Sequence, residues 1–305
     1  MNPDQFETYL SQLSKEEIIE YMQLNYFLKK EILCDQCNLT LKMTKFVGVK
    51  DEFSFRCMNN KCRLYKKRTS IRKFSFFENI NIDLLSIFKV IIGWCVDQPI
   101  HSIKKKLQLH PTTIRKIIGK LIDRIGTVDF SDNKLGGPKQ IIQIDETMLN
   151  FRCKSHRGRS PQNRTDALCI IEYDGKITRA FAKVIANKEA NTILPIIFSQ
   201  VQPFSKIHTD EHRSYSKLST LGYDHDTVCH KYNFVDKNTG TNTQGVESFN
   251  NELKLEIKRR KGIETNLRQR FLDEFCFKFN TKKFRLEKVL NLTKILRSFL
   301  AVLEI

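Results

Sequence analysis

No apolar run in this chain is long enough to cross a bilayer. The longest, Leu84 to Val96, has thirteen residues and is interrupted by Lys89, whereas a spanning helix needs about 20. Met1 to Leu10 is polar and carries Asp4 and Glu7, so no secretory leader is expected. Internal repeats and low-complexity tracts are missing too, which excludes a solenoid. Acidic residues are in short supply: 34 Asp and Glu face 52 Lys and Arg, a net charge of +18. A surplus of that size favours a polyanionic partner, nucleic acid before a membrane surface.

At 305 residues and 40% apolar, the chain can bury at least one full core with one or two small satellites. Nine cysteines without an export signal fit a reducing compartment. Five of them, Cys95, Cys153, Cys169, Cys229 and Cys276, stand alone in apolar or mixed segments and read as small buried hydrophobes.

The other four are grouped. Two residues separate Cys34 from Cys37, nineteen follow, and four separate Cys57 from Cys62. Two turns of that kind, joined by a hairpin, can converge four thiolates on one Zn²⁺. The alternative is four unrelated buried cysteines. A module of this size has little core, so metal would supply much of its stability. Short strands are expected at Met43–Val49, Phe53–Arg56 and Ser70–Phe76. Lys67 and Arg68, beside the second pair, are candidate phosphate contacts.

Residues 1–32 read as helix, with a capping box at Ser14 and Glu17. Apolar residues from Asn81 to Val96 suggest a mostly buried helix that Pro99 ends. A short helix over Ile100–Leu107, a tight connection and a helix over Pro111–Ile125 have the punctuation of a helix-turn-helix. Thr113, Arg115, Lys116 and Lys120 would lie on its outward face, with Lys104, Lys105 and Lys106 on backbone phosphates. A helical hairpin with a solvated basic face is the alternative.

From Gly126 to Pro138 the chain reads as a linker. Beyond it strands are expected at Gln140–Asp145, Ala167–Tyr173, Lys176–Ile185, Lys206–Asp210 and about Asp226–His230. Helices are expected at Ala190–Val201, Ser214–Leu221, Gln244–Arg260, Leu267–Phe279 and Leu286–Leu303. Asp145 ends an apolar strand, Asp210 ends a second, and Glu247 lies early in a helix, with thirty-six residues between it and Asp210. Two aspartates on adjacent strands and a glutamate from a helix can hold two Mg²⁺ (or Mn²⁺) ions, because hard cations take oxygen ligands. Two such ions roughly 4 Å apart activate a water or 3′-hydroxyl and stabilise the leaving oxygen. With 34 acids in the chain, Glu146 and Glu211 compete for the same assignment. Lys258 and Arg259, behind Glu247, extend a basic face, and Arg152, Lys154, His156, Arg157 and Arg159 form another. Either face is a solvated surface or a contact for a nucleic-acid backbone.

Three segments carry a resemblance: Val228-Cys-His-Lys-Tyr-Asn-Phe-Val-Asp236, Gly240-Thr-Asn-Thr-Gln-Gly-Val-Glu-Ser-Phe249 and Phe271-Leu-Asp-Glu-Phe-Cys-Phe-Lys-Phe-Asn280. With Gln143-Ile-Asp-Glu-Thr147 and Thr209-Asp210 they resemble the Merlin superfamily of DDE transposases and related bacterial ISXO2-like insertion-sequence transposases. The resemblance runs from about residue 33 to 283. It implies an α/β chain: a zinc ribbon (33–77), a helix-turn-helix region (78–127) and an RNase H-like core (138–283) with a mixed five-stranded sheet and flanking helices. An N-terminal helical segment (1–32) and a C-terminal helix (284–305) complete the expected domains.

The activity implied is binding of terminal inverted repeats, then metal-dependent cleavage and strand transfer, with Asp145, Asp210 and Glu247 as the acids. The implied partners are double-stranded DNA, as element ends and target, and further copies of the chain, with no membrane. The expected location is the nucleus in a eukaryotic host and the cytoplasm otherwise. A DNA-binding regulator without catalysis and an RNase H-like nuclease are the alternatives. The chain departs from its relatives where Asn242, Thr243 and Gln244 replace His-Thr-Asn, and where Asn250 replaces a tryptophan. His225 and His230 match the family pattern, either as core packing or in support of the site.

Overall fold

Two compact units make up the fold, one of residues 1–124 with 283–305 and one of residues 125–282. The structure is a computed structural model that describes residues 2–150, 164–228 and 241–295.

In the first unit the expected single helix over 1–32 is two, α1 (Pro3–Gln12) and α2 (Lys15–Leu24). The break follows from capping: the Ser14 side chain accepts the Glu17 amide while the Glu17 carboxylate takes the Ser14 amide, which starts a new helix. Next comes an antiparallel sheet of β1 (Lys42–Lys45), β2 (Phe53–Arg56) and β3 (Arg68–Ser70), paired in sequence order. The expected strand Ser70–Phe76 is not formed, and β1 stops at Lys45. Arg72 explains the first difference. Its guanidinium turns inward to the Asp51 carboxylate and to the carbonyls of Ile80 and Ile82, and Phe74 sits at φ 64°. Residues 71–78 therefore coil into turns.

α3 (Leu84–Cys95) begins at Asp83, whose side chain accepts the Ser86 amide, and is buried on nearly every side. α4 (Ile100–Leu107) ends at Gln108 in the left-handed region, and α5 (Pro111–Ile125) buries Ile114, Ile117 and Leu121 on one stripe. Phe88 of α3 is the hub of the unit's aromatic core. Its ring lies 6.0 Å from Phe6 and 5.4 Å from both Phe27 and Phe77, with the first two contacts edge-to-face.

In the second unit β4 (Ile141–Met148), β5 (Asp166–Tyr173) and β6 (Ile177–Ile185) form an antiparallel meander. α6 (Ala190–Gln200) then crosses over to β7 (Lys206–Asp210), and β8 (Asp224–Val228) follows. Both later strands run parallel to β4, giving a five-stranded mixed sheet of order β6-β5-β4-β7-β8. β5 reads as a continuous apolar run because both its faces are covered: Ala167 to Ile171 are all fully buried.

On one face Ile142 and Ile144 pack with Ile193 and Ile197 of α6 and with Tyr215. On the other, Cys169 and Ile171 meet α7 (Gln244–Arg259) and α8 (Arg268–Asn280) through Val246, Phe249, Leu253, Phe271 and Cys276. Cys95, Cys169 and Cys276 are buried as expected, while Cys153 and Cys229 lie outside the described residues. The expected helix Ser214–Leu221 is only two single 3₁₀ turns, Arg213–Tyr215 and Ser219–Leu221. Tyr215 and Leu218 are drawn into the core there, and Gly222 at φ 86° ends the segment. The expected helix Leu286–Leu303 begins as α9 (Arg285–Thr293), and its part beyond residue 295 lies outside the described residues.

Phe88→Ala should lower the stability of the first unit by about 3–5 kcal/mol. Thermal unfolding followed by circular dichroism checks this, with a loss under about 1 kcal/mol counting against Phe88 as the hub.

Candidate functional site

Strand periodicity decides which β4 side chains share a face. Ile142 and Ile144 face α6, so Gln143 and Asp145 face α7. β4 and β7 are parallel, with Ile141 opposite Lys206 and Gln143 opposite His208. Carried two residues further, that register sets Asp145 beside Asp210, with both carboxylates on one face. The electrostatics agree. Burial, then the charges of Glu146 and Asp210, push the Asp145 carboxyl up to about 6.

The third acid comes from α7, whose first turns lie across this face of β4. The Val246 amide donates to Gln143 Oε1 at 3.0 Å, and Gln143 Nε2 donates to Asn242 Oδ1 at 3.1 Å. One turn later Asn250 Nδ2 donates to Asp145 Oδ2 at 2.8 Å. Glu247 lies between these two anchors, three residues before Asn250 and so on the same side of the helix. Its carboxylate accepts the Thr243 hydroxyl at 3.1 Å. Gly245 makes the approach possible. A Cβ there would come within 2.7 Å of Gln143 Oε1 and 2.9 Å of Ile171 and Tyr173, closer than any larger residue tolerates without moving the helix.

Glu146, the neighbouring candidate, points the other way. Its carboxylate accepts the Tyr215 hydroxyl and lies 3.4 Å from Lys188 Nζ, which ties it to the α6 side of the sheet. Asp210 Oδ1 caps the turn that follows, accepting the His212 amide at 3.0 Å. His225 Nε2 lies 2.9 Å from the Thr209 hydroxyl, and burial lowers its pKa, so it braces the strand bearing Asp210 as a neutral ring. His230 lies outside the described residues, as do the basic residues from Arg152 to Arg159.

The four grouped cysteines in the first unit have ligand atoms all within 4.8 Å of one another. Cys34 and Cys62 sulfurs are 3.8 Å apart and those of Cys37 and Cys57 are 3.9 Å apart. A tetrahedral ion with Zn–S bonds of about 2.3 Å places its sulfurs about 3.8 Å apart, whereas a disulfide needs about 2.05 Å. The set therefore fits Zn²⁺. Backbone amides of Gln36 and Cys37 pull the Cys34 thiol down to about 7, while burial pushes Cys62 up to about 12. Among the described residues, no trio of carboxylates closes to that mutual spacing.

Residues 134–280 match the family described as the ISXO2-like transposase domain. The transposase-like segment thus takes in β4 to α8 and with them Asp145, Asp210 and Glu247. A transposase-like protein of Haemophilus influenzae is 28% identical over 107 residues, which cover 35% of this chain and 85% of that one. Among solved structures, the simian T-cell lymphotropic virus intasome with a PP2A regulatory subunit B56 gamma aligns at TM-score 0.29 and 14% identity. That alignment covers 66% of each chain, just under two thirds of the relative. The Mos1 strand transfer complex aligns at TM-score 0.27 and 11% identity, over 68% of this chain and 78% of that one.

The basic residues expected at a DNA surface differ in how they are held. Arg115 and Lys67 are exposed, and so is Lys258, while Thr113 is half-buried. Lys116 donates to the Asn79 carbonyl at 2.6 Å and Lys120 to the Glu78 carbonyl at 3.0 Å. Arg68 bonds Ser54 at 2.7 Å and stacks 4.0 Å from the Phe46 ring. Arg259 pairs with Glu256 at 2.9 Å, and Lys106 with Glu7 at 2.7 Å. Sequence reasoning passed over Gln143 as the anchor of α7. Its signal was present, since period two puts residues 143 and 145 on one face.

Two outcomes follow. The purified chain should carry one Zn²⁺ per molecule by metal analysis, and Cys57→Ser should release it and unfold the three-stranded sheet. A free aspartate titrates near 3.8, so the penalty for ionising Asp145 in the folded chain is full above about pH 6, fades as pH falls from there, and is gone below about 3.8. In magnesium-free buffer Asp145→Asn should raise the melting temperature by roughly 5 °C at pH 7.5, with the gain vanishing near pH 3.5. An equal gain at both pH values would count against a charge penalty.

Proposed function

We propose that this chain is a DNA transposase whose second unit is an RNase H-like core, cutting a DNA strand at an element end and joining it to target DNA. What supports the reading is the parallel β4–β7 register, which carried two residues past Gln143 and His208 brings Asp145 level with Asp210, inside a segment that matches a transposase domain. The strand order, three antiparallel strands continued by two parallel ones, agrees with such a core.

Asp145, Asp210 and Glu247 would hold Mg²⁺ or Mn²⁺. The donor set fits, being all carboxylate oxygen. Such ions supply activation of a water or 3′-hydroxyl and charge stabilisation at the leaving oxygen. The chain's own part is to position. Gln143 and Asn250 hold α7 against β4 so that Glu247 stays near the two aspartates. Tyr215 and Lys188 hold Glu146 on the far face, away from the reacting phosphate.

In the first unit the Cys34, Cys37, Cys57 and Cys62 module would bind Zn²⁺ as a ribbon. α4 and α5, joined through left-handed Gln108, would act as a helix-turn-helix. Arg115, Thr113, Lys67 and Lys258 are the best placed of the predicted contacts to meet phosphates, with Lys116, Lys120, Arg68 and Arg259 contributing once released from their present partners. Joining two ends to one target calls for more than one copy of the chain. Among the described residues no helix is long and apolar enough to cross a membrane.

The test is a strand-transfer assay with Mg²⁺ and DNA bearing the inverted repeats that flank the coding sequence. Wild type should give joined products, and Asp145→Ala, Asp210→Ala and Glu247→Ala should each lower the rate by about a thousandfold or more. Free ends without joined products would select a nuclease. Binding without cleavage, unaltered in the three variants, would select a regulator.

A further inference from the structure

Asn250 is 3% exposed and sits on α7 one turn past Glu247. Its Nδ2 donates to Asp145 Oδ2 at 2.8 Å, while its Oδ1 is buried without a hydrogen-bond partner. An unpaired buried carbonyl oxygen costs stability, so an amide here is an expensive way to fill apolar space. The other oxygen of Asp145 accepts the Glu146 amide at 2.8 Å. A carboxylate that accepts on both oxygens from fixed donors cannot turn, and its remaining lone pairs keep one direction. The two donors differ in origin. The Glu146 amide belongs to the strand of Asp145 itself and moves with it. Asn250 belongs to the helix that carries Glu247, and its bond ties one acid's strand to the other acid's helix.

We infer that Asn250 is a positioning residue: its amide locks the Asp145 carboxylate to α7, setting the spacing between Asp145 and Glu247 at which a divalent cation is held. The inference rests on the reading of Asp145, Asp210 and Glu247 as cation ligands. Partners that orient a metal-binding carboxylate commonly change affinity by about 10–100-fold when lost. Asn250 does not touch the cation or the DNA. It acts through Asp145.

Mn²⁺ is the probe, with binding to the full chain measured by loss of the free-ion electron paramagnetic resonance signal. Asn250→Leu fills the same space without a donor. Asn250→Ala needs no apolar side chain to fit and serves if the leucine variant misfolds, folding being judged by circular dichroism. Wild type should bind Mn²⁺, Asp145→Ala should not, and the two Asn250 variants should bind about tenfold more weakly. In the cleavage assay the same variants should need about tenfold more Mg²⁺ for half-maximal rate and approach the wild-type rate at saturation, a split that mere loss of folded protein does not give. Folded Asn250 variants with wild-type Mn²⁺ affinity would overturn the inference while leaving the three ligands standing. A wild-type chain that ignores Mn²⁺, or an Asp145→Ala variant that binds it normally, would overturn the ligand reading itself.

Discussion

The site depends on how the first two turns of α7 are docked against one edge of β4. Two polar side chains two residues apart on the strand, Gln143 and Asp145, receive a backbone amide and a side-chain amide from the helix. Those bonds are directional and buried, so they specify position where apolar contact alone would allow sliding. Gly245 sets the distance and Val246, Phe249 and Leu253 supply the adhesion. A one-residue slip of β4 would exchange Gln143 and Asp145 with Ile142 and Ile144, burying two polar groups under α6 and emptying the site.

The two candidate metal centres solve opposite problems. The cysteine set is closed, with four soft sulfurs at tetrahedral spacing and backbone amides pointed at Cys34. That arrangement suits an ion that holds a small sheet together and exchanges nothing. The carboxylate set is made of hard oxygens drawn from two strands and a helix. Its cost is visible in the raised pKa of Asp145. On the far face Tyr215 and Lys188 hold Glu146, whose charge still adds to the push on Asp145.

Much of this was legible in the sequence wherever one period dominated. The strand at Gln140–Asp145, the hairpin at Asp174-Gly175 and the helix bearing Glu247 all follow from local pattern, and each lies within about three residues of its expected bounds. The cysteine spacing gave the cluster outright. Failures came where a distant partner overrode the local signal. Residues 70–76 have strand composition, but Arg72 is claimed by Asp51 twenty-one residues earlier. Residues 214–221 have helical composition, but Tyr215 and Leu218 are drawn into the core. The contacts of the Lys116 and Lys120 ammonium groups with carbonyls at residues 79 and 78 were likewise not announced by local pattern. The partnership of Asn250 with Asp145 spans 105 residues, and no local period encodes it.

One further consequence lies in the placement of α9. The chain leaves the first unit after Arg124 and returns to it at Lys283. There Leu286 and Val289 are buried, and Arg285 grips the Cys95 carbonyl at 2.7 Å and Asp97 at 2.6 Å. During synthesis the unit bearing the cysteine cluster therefore lacks α9, a partner of α3, until residues 125–282 have been translated.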